Sequence, residues 1–471
     1  MTLDPGQGQE APAARWRELL QPALAARAAL IMLGVWLNAA DAMVTATIMP
    51  SVARDLGGYA YFAWAVAGYL LGSILAGASA GRLSQRLGLQ SAITLAAALY
   101  AIGCVLSAAS PTIEVFLAGR LLQGIGAGWI VGFCYIAISV AFPQRLWARM
   151  FGALAGVWGV ASLLGPLVGG LFAAAGLWRW AFWMFAGQAV IFAFACRLLL
   201  RSEGEAQSEA RTLAWRTLAV LALAILCIAA ADVTADGPRA GMLLVAGLIL
   251  LLVAGAVNAR PGEGLLPRQA MRPDTVAGAG YAMVLAMSAA SAAFSVYGAA
   301  ILQIQYHASP LTAGYVVAMD AFGWTAAAFF VSGQPDRRHG LWIITGASCI
   351  LAGVAGLALA FAAGQVILVV LTATVMGAGY GLSWSLTTRR VLGVLPDQDR
   401  AIGASAVPTV SLIGSAAGAA AAGAAANLLG LAHAFTPAKA AGLGPWVFAA
   451  FIPVAALGWL AALRLSRGGP A

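Results

Sequence analysis

Three charged side chains lie deep inside apolar stretches of this 471-residue chain: Asp41, Asp320 and Arg120. A carboxyl group within a membrane-like interior is a natural proton carrier, and a buried arginine needs a wet cavity or a counter-charge to offset its desolvation. The remaining acids fall in tails, in loops or, for Glu114 and Asp232, at the ends of apolar stretches. Helical rise places Asp41 about 13 Å, Asp320 about 14 Å and Arg120 about 8 Å below the same surface. Arg120 and Gln123 share a helix face at i, i+3, and Asp320 and Trp324 share another at i, i+4. An acid beside an aromatic ring suits an organic cation. If the spans that carry them are neighbours, which residue spacing alone does not settle, Asp41 and Arg120 would form a proton relay in which Asp41 takes a proton from outside and Arg120 displaces it inward. Asp320, Trp324 and Gln123 would line the cavity and hold a cationic or polar group of the substrate. The competing reading makes each of these a structural group, hydrogen-bonded to neighbouring helices.

The elements that position them must be helices. The chain is 62% hydrophobic and 9% charged, far below the ~25% charge of soluble domains, so no water-soluble fold could cover its surface. Its apolar blocks have the length that crosses a ~30 Å hydrocarbon core, where unsatisfied backbone groups are not tolerated. The short alternating segments of a β-barrel are missing. Fourteen spans are expected, at 28–50, 63–81, 92–109, 115–141, 150–175, 181–199, 214–232, 240–257, 276–303, 311–332, 341–362, 365–386, 401–428 and 444–463. With the N-terminus inside, the inner segments hold twenty-one of the 26 basic residues and the outer ones only Arg54, Arg179, Arg239 and Lys439, as the positive-inside rule requires. That distribution also sets aside a nucleic-acid partner despite the net charge of +9, because the basic residues are scattered through loops and form no patch.

The longest internal loops, 200–213 and 258–275, bracket a two-span hairpin and leave six spans on either side. The expected organisation is an inner N-terminal tail (1–27), a six-helix bundle (28–200), a linker with the hairpin (201–272) and a second six-helix bundle (273–467). Paired halves of this kind hold substrate where they meet, near the midplane. Cys104, Cys134, Cys196, Cys227 and Cys349 all lie in apolar segments at no metal or disulfide spacing and read as packing residues. Trp64, Tyr69, Trp158, Tyr281, Tyr297 and Trp384 read as lipid-facing or packing aromatics, and Gln303 and Gln305 as the outer boundary of span 9. No cleavable signal peptide is expected at the N-terminus. Arginine outnumbers lysine 25 to 1, which points to a GC-rich, bacterial source.

Four stretches resemble the fourteen-span drug:proton antiporter branch of the major facilitator superfamily. In span 1, Ala40-Asp41 and Met49-Pro50 followed by Ser51-Val52-Ala53-Arg54-Asp55-Leu56-Gly57 are similar to the branch's aspartate, Leu-Pro and Leu-Gly signature, with Ala40 and Met43 departing from the usual leucine and threonine. After span 2, Gly81, Leu83, Arg86 and Gly88 match the superfamily's Gly-x-Leu-Ala-Asp-Arg-x-Gly loop, while Gln85 stands at its acidic position. A fainter echo follows span 10, with Asp336 and Arg337. In span 4, Arg120, Gln123, Gly124 and Gly126 fit Arg-x-x-Gln-Gly-x-Gly. In span 5, Gly165-Pro166 and Gly169-Gly170 resemble the antiporter motif, a proline kink followed by glycines that admit close helix contact.

The resemblance implies a major facilitator fold and a proton-coupled antiporter that exports small, drug-like, cationic or amphipathic compounds by alternating access. It further implies a monomer in the bacterial inner membrane with both termini cytoplasmic, protons as the coupling ion and no other cofactor. Metabolite, sugar or siderophore export, uptake symport and lipid flipping on the same fold stay open. An intramembrane enzyme would need a nucleophile–base or metal constellation, and the spans carry none. In the family the loop acid latches the halves through charge-assisted hydrogen bonds, so a neutral Gln85 should latch them less firmly. Gln85→Asp is therefore expected to shift the chain toward its outward-open state, read by cysteine accessibility from the two sides; unchanged accessibility would count against a latch.

Overall fold

The computed structural model describes residues 16–199, 214–233, 237–260, 266–332, 334–430 and 436–467. Its helices are α1 (Trp16–Leu19), α2 (Pro22–Leu56), α3 (Phe62–Leu87), α4 (Leu89–Ala108), α5 (Ile113–Ala141), α6 (Gln144–Ala174), α7 (Trp178–Leu199), α8 (Trp215–Val233), α9 (Gly237–Asn258), α10 (Val276–Gln305), α11 (Pro310–Ser332), α12 (His339–Ala363), α13 (Val366–Gly393), α14 (Asp397–Leu428), α15 (Pro437–Ala449) and α16 (Ile452–Arg467). No strand occurs among the described residues. Among the described residues, thirteen stretches are long and apolar enough to cross a membrane; α8 is apolar over the shorter Trp215–Ile228. Each expected span thus falls on one or two helices, with thirteen rather than fourteen long enough to cross among the described residues.

The last span differs: it is two helices, α15 and α16, with a turn at Ala450 and Phe451. Pro453 accounts for the break, since its ring has no N–H to offer the carbonyl four residues earlier and its fixed φ suits a first helical turn.

Helices α2 to α7 pack on one another chiefly through α2 with α6, α3 with α5, and α4 with α5 and α7. Helices α10 to α16 pack through α10 with α14 and α16, α11 with α13, and α12 with α13. Helices α8 and α9 form a hairpin, with α8 laid against α3 and α14. The two groups meet along α6–α11 and α3–α14. Within each group, glycines let backbones touch. A Cβ at Gly124 would run into the Tyr69 carbonyl of α3, one at Gly128 into that of Ser73, and one at Gly377 into that of Asp320. Those crossings are as tight as small-residue helix contacts become.

Between the groups, contacts gather on the face opposite the chain's termini. Gln303 donates to the Thr47 carbonyl at 3.3 Å, and Asn427 donates to the Ala60 carbonyl at 3.0 Å. Phe62 stacks on Tyr297 with centroids 5.5 Å apart. A Cβ at Gly170 would stand 2.6 Å from Leu311 Cα, and one at Gly314 would stand 2.8 Å from the Pro166 ring. Gln303 thus ties the groups together, where the sequence suggested a boundary marker.

Candidate functional site

Beneath this closure lies a cavity of about 240 Å³ walled by both groups of helices. Pro166 breaks the backbone ladder of α6 at its edge. Arg120 on α5 and Asp320 on α11 both face the cavity, as do Thr45, Thr47 and Tyr69.

Arg120 is held from every side. Its Nη1 donates to Asp41 Oδ1 and Oδ2, each at 3.0 Å, and to Gln123 Oε1 at 2.8 Å. Its Nε donates to the Ala65 carbonyl at 3.4 Å, and the guanidinium lies over the Tyr69 ring, 4.5 Å from its centroid. Thr45 donates to Asp41 Oδ1 at 3.0 Å. The pair is 2% and 0% exposed, so neither charge is shared with solvent. Removing one partner would strand the other in a medium that cannot solvate it. Asp41 sits one hydrogen bond behind the cavity wall, reached through Arg120 and Thr45.

Gln123 does not reach the cavity, contrary to expectation. It is wholly buried behind Arg120, donating to Cys104 Sγ at 2.9 Å and accepting from Ser107 Oγ at 3.2 Å. A single helix turn can point i and i+3 side chains into one layer without both meeting the same space. Tyr69, read as a packing aromatic, proves to be a wall residue whose hydroxyl donates to Asn38 at 2.6 Å.

On the other wall Asp320 is half-buried, and its Oδ1 is shut from solvent with no hydrogen-bond partner. Trp324 lies one turn along but outside the cavity lining. It stacks on Tyr380 at 5.0 Å and leans on Trp384 at 5.6 Å. The Tyr380 hydroxyl and Ser291 share a hydrogen bond of 2.8 Å. Tyr380 and the cavity serines were not anticipated; the i, i+3, i+7 spacing of Ser288, Ser291 and Ser295 was the available signal.

Of the motif residues, Gly165 and Gly169 abut Met43 and Val44 of α2. Gly88 adopts φ 74° between α3 and α4, a conformation that favours glycine. Arg86 and Arg337 are exposed. The side chains at positions 81, 85 and 336 lie outside the described residues, and with them the expected latch. No cluster of three or more metal-ligating side chains occurs among the described residues.

The described residues thus form a helical fold with a central cavity between two helix groups, floored by a buried ion pair. Residues 31–259 match the model of the Major Facilitator Superfamily. A probable multidrug-efflux transporter of Mycobacterium tuberculosis is 30% identical over 456 residues, covering 91% of this chain and 95% of that protein. An MFS-type transporter of an acurin A biosynthesis cluster in Aspergillus aculeatus is 29% identical over 52% of this chain and 47% of its own length. The D-xylose–proton symporter structure superposes with a TM-score of 0.68 at 16% identity, over 95% of this chain and 98% of that one. A bacterial homologue of the human lysosomal transporter Spinster gives 0.65, also at 16% identity, over 96% and 100%. The chain belongs to the Major Facilitator Superfamily.

Proposed function

We propose that this chain is a proton-coupled antiporter of the fourteen-span branch, exporting small organic cations or amphipathic compounds through the central cavity by alternating access. The observation that carries the reading is the placement of a proton-competent, arginine-paired carboxyl, Asp41, behind one wall and an unpartnered carboxyl, Asp320, on the other. The M. tuberculosis relative's description as a multidrug-efflux protein is consistent with it. In this reading Asp41 and Arg120 part when a proton arrives, the halves rearrange, and the proton leaves as the pair reforms. Asp320 attracts the substrate's charge. Residues 28–200 and 273–467 act as the moving halves, with the hairpin of 201–272 beside them. The protein works as a monomer in the inner membrane with its termini in the cytoplasm.

The test uses purified full-length protein in vesicles with an acidic lumen and a trapped pH dye. Ethidium, a permanent cation that carries no titratable proton, is expected to release lumenal protons in these vesicles and not in empty ones. Asp320→Asn should cut that response at least about thirtyfold, the lower end of what losing a buried charge partner costs. Ethidium movement indifferent to the proton gradient would sink the antiport reading. An Asp320→Asn protein with an undiminished ethidium response would remove Asp320 from substrate binding.

A further inference from the structure

The cavity wall formed by α10 and α14 has a character that a lipophilic-cation site does not require. Ser291 and Ser295 on α10 and Ser415 on α14 all face the cavity. Helical serines and threonines ordinarily donate to a carbonyl three or four residues back. Ser162, Thr325, Thr374 and Ser383 do so here. Ser295 and Ser415 do not: Ser295 is exposed to the cavity, Ser415 is half-exposed to it, and neither hydroxyl has a hydrogen bond among the described residues. Ser291 is already paired with Tyr380 at 2.8 Å, and behind it Ser288 and Ser411 pair with each other at 2.9 Å. The inner serines are thus satisfied and the two cavity-facing ones are left over, on the same half as the unbonded Asp320 Oδ1.

Size adds a second constraint. About 240 Å³ falls below the ~300–1,000 Å³ typical of sites for drug-sized ligands.

We infer that Ser295 and Ser415 form a hydroxyl-recognition face, and that the compound held in this state is a small amine bearing hydroxyl groups. This rests on the preceding reading that the cavity takes an organic cation at Asp320. The serines each offer a donor and an acceptor, so a hydroxylated substrate exchanges water for them at no loss, while an unadorned cation leaves them dry.

The matched probes are octopamine and 2-phenylethylamine, monocations of one carbon skeleton that differ by two hydroxyl groups. Binding to the purified full-length protein is measured by titration calorimetry. Wild type is expected to prefer octopamine by about tenfold, the worth of one to two net hydrogen bonds. Ser295→Ala/Ser415→Ala should erase that preference while leaving 2-phenylethylamine affinity unchanged, which also shows that the variant is folded. Ser295→Thr/Ser415→Thr, which restores the hydroxyls, should return part of it. Equal binding of both amines by wild type, or a preference that survives the double alanine variant, would overturn the hydroxyl face and leave the cation exporter standing. Binding of neither amine would overturn it too, with the ethidium assay then deciding separately on the exporter.

Discussion

Arg120→Ala is expected to destabilise the protein by about 3–5 kcal/mol, the usual result of breaking a buried pair from one side, and to abolish proton-linked transport. The loss comes from what remains: Asp41, wholly buried, would keep only the Thr45 hydroxyl among the hydrogen bonds seen here. The informative comparison is the double variant Arg120→Met/Asp41→Asn. Replacing both charges by groups of similar volume is often neutral for a buried pair, so thermal stability in detergent should return close to wild type. Transport should not return if Asp41 is the proton carrier proposed above, because that carboxyl is gone. Asp41→Asn alone should lose less stability than Arg120→Ala, since the amide still accepts from Arg120 though it does not neutralise it, and should show no substrate-driven proton release, since the amide cannot take a proton. If the double variant regained both stability and transport, the pair would be architecture alone. Proton-driven transport at full rate in Asp41→Asn would refute the relay.

The second large effect separates packing within a half from packing between halves. At Gly124 a valine would drive its side chain into the Tyr69 backbone, which cannot rotate away, so α3 and α5 must separate. Overpacking of a tight core costs about 1–3 kcal/mol and sometimes more; against immovable backbone the expectation is the upper end, seen as loss of folded protein on size exclusion. Gly170→Val meets Leu311 across the gap between halves. There the chain has another way to relieve the clash, by parting the halves on that face. The expected result is a folded protein with increased labelling of a cysteine placed at Thr47. Similar loss of folded protein in both variants would mean that the halves cannot move apart there.

Much of this architecture was legible beforehand, and the reason is physical. Lipid forces a uniform length and polarity on each span, so helix positions follow from composition. The Asp41–Arg120 pair was legible only through the family resemblance, which sets spans 1 and 4 side by side and so brings the two depths within reach. What escaped were features set by rotation and by partners distant in sequence. Whether Gln123 faces the cavity or Cys104 depends on how α5 is turned against α4, which i, i+3 spacing does not specify. Tyr69 and Tyr380 look like any membrane aromatics until α5 and α11 are placed beside them. The break at Ala450 was signalled by Pro453 but hidden by the unbroken apolar run around it. Gln303 looked like a span boundary because its bond partner, the Thr47 carbonyl, lies 256 positions away.

The closure opposite the termini is made of amides, carbonyls and rings: Gln303 to Thr47, Asn427 to Ala60, and Phe62 on Tyr297. None of these groups carries a charge. The charged pair Arg179 with Asp55 joins two helices of the same half. Membrane voltage acts on charges at about 2.3 kcal/mol per elementary charge per 100 mV, so it has no purchase on the contacts that hold this gate. In the proposed cycle, the voltage dependence of turnover comes from charge carried in the cavity, by a proton at Asp41 or a cation at Asp320. Recording transport against applied potential would therefore count the charges moved per cycle, undistorted by the gate itself.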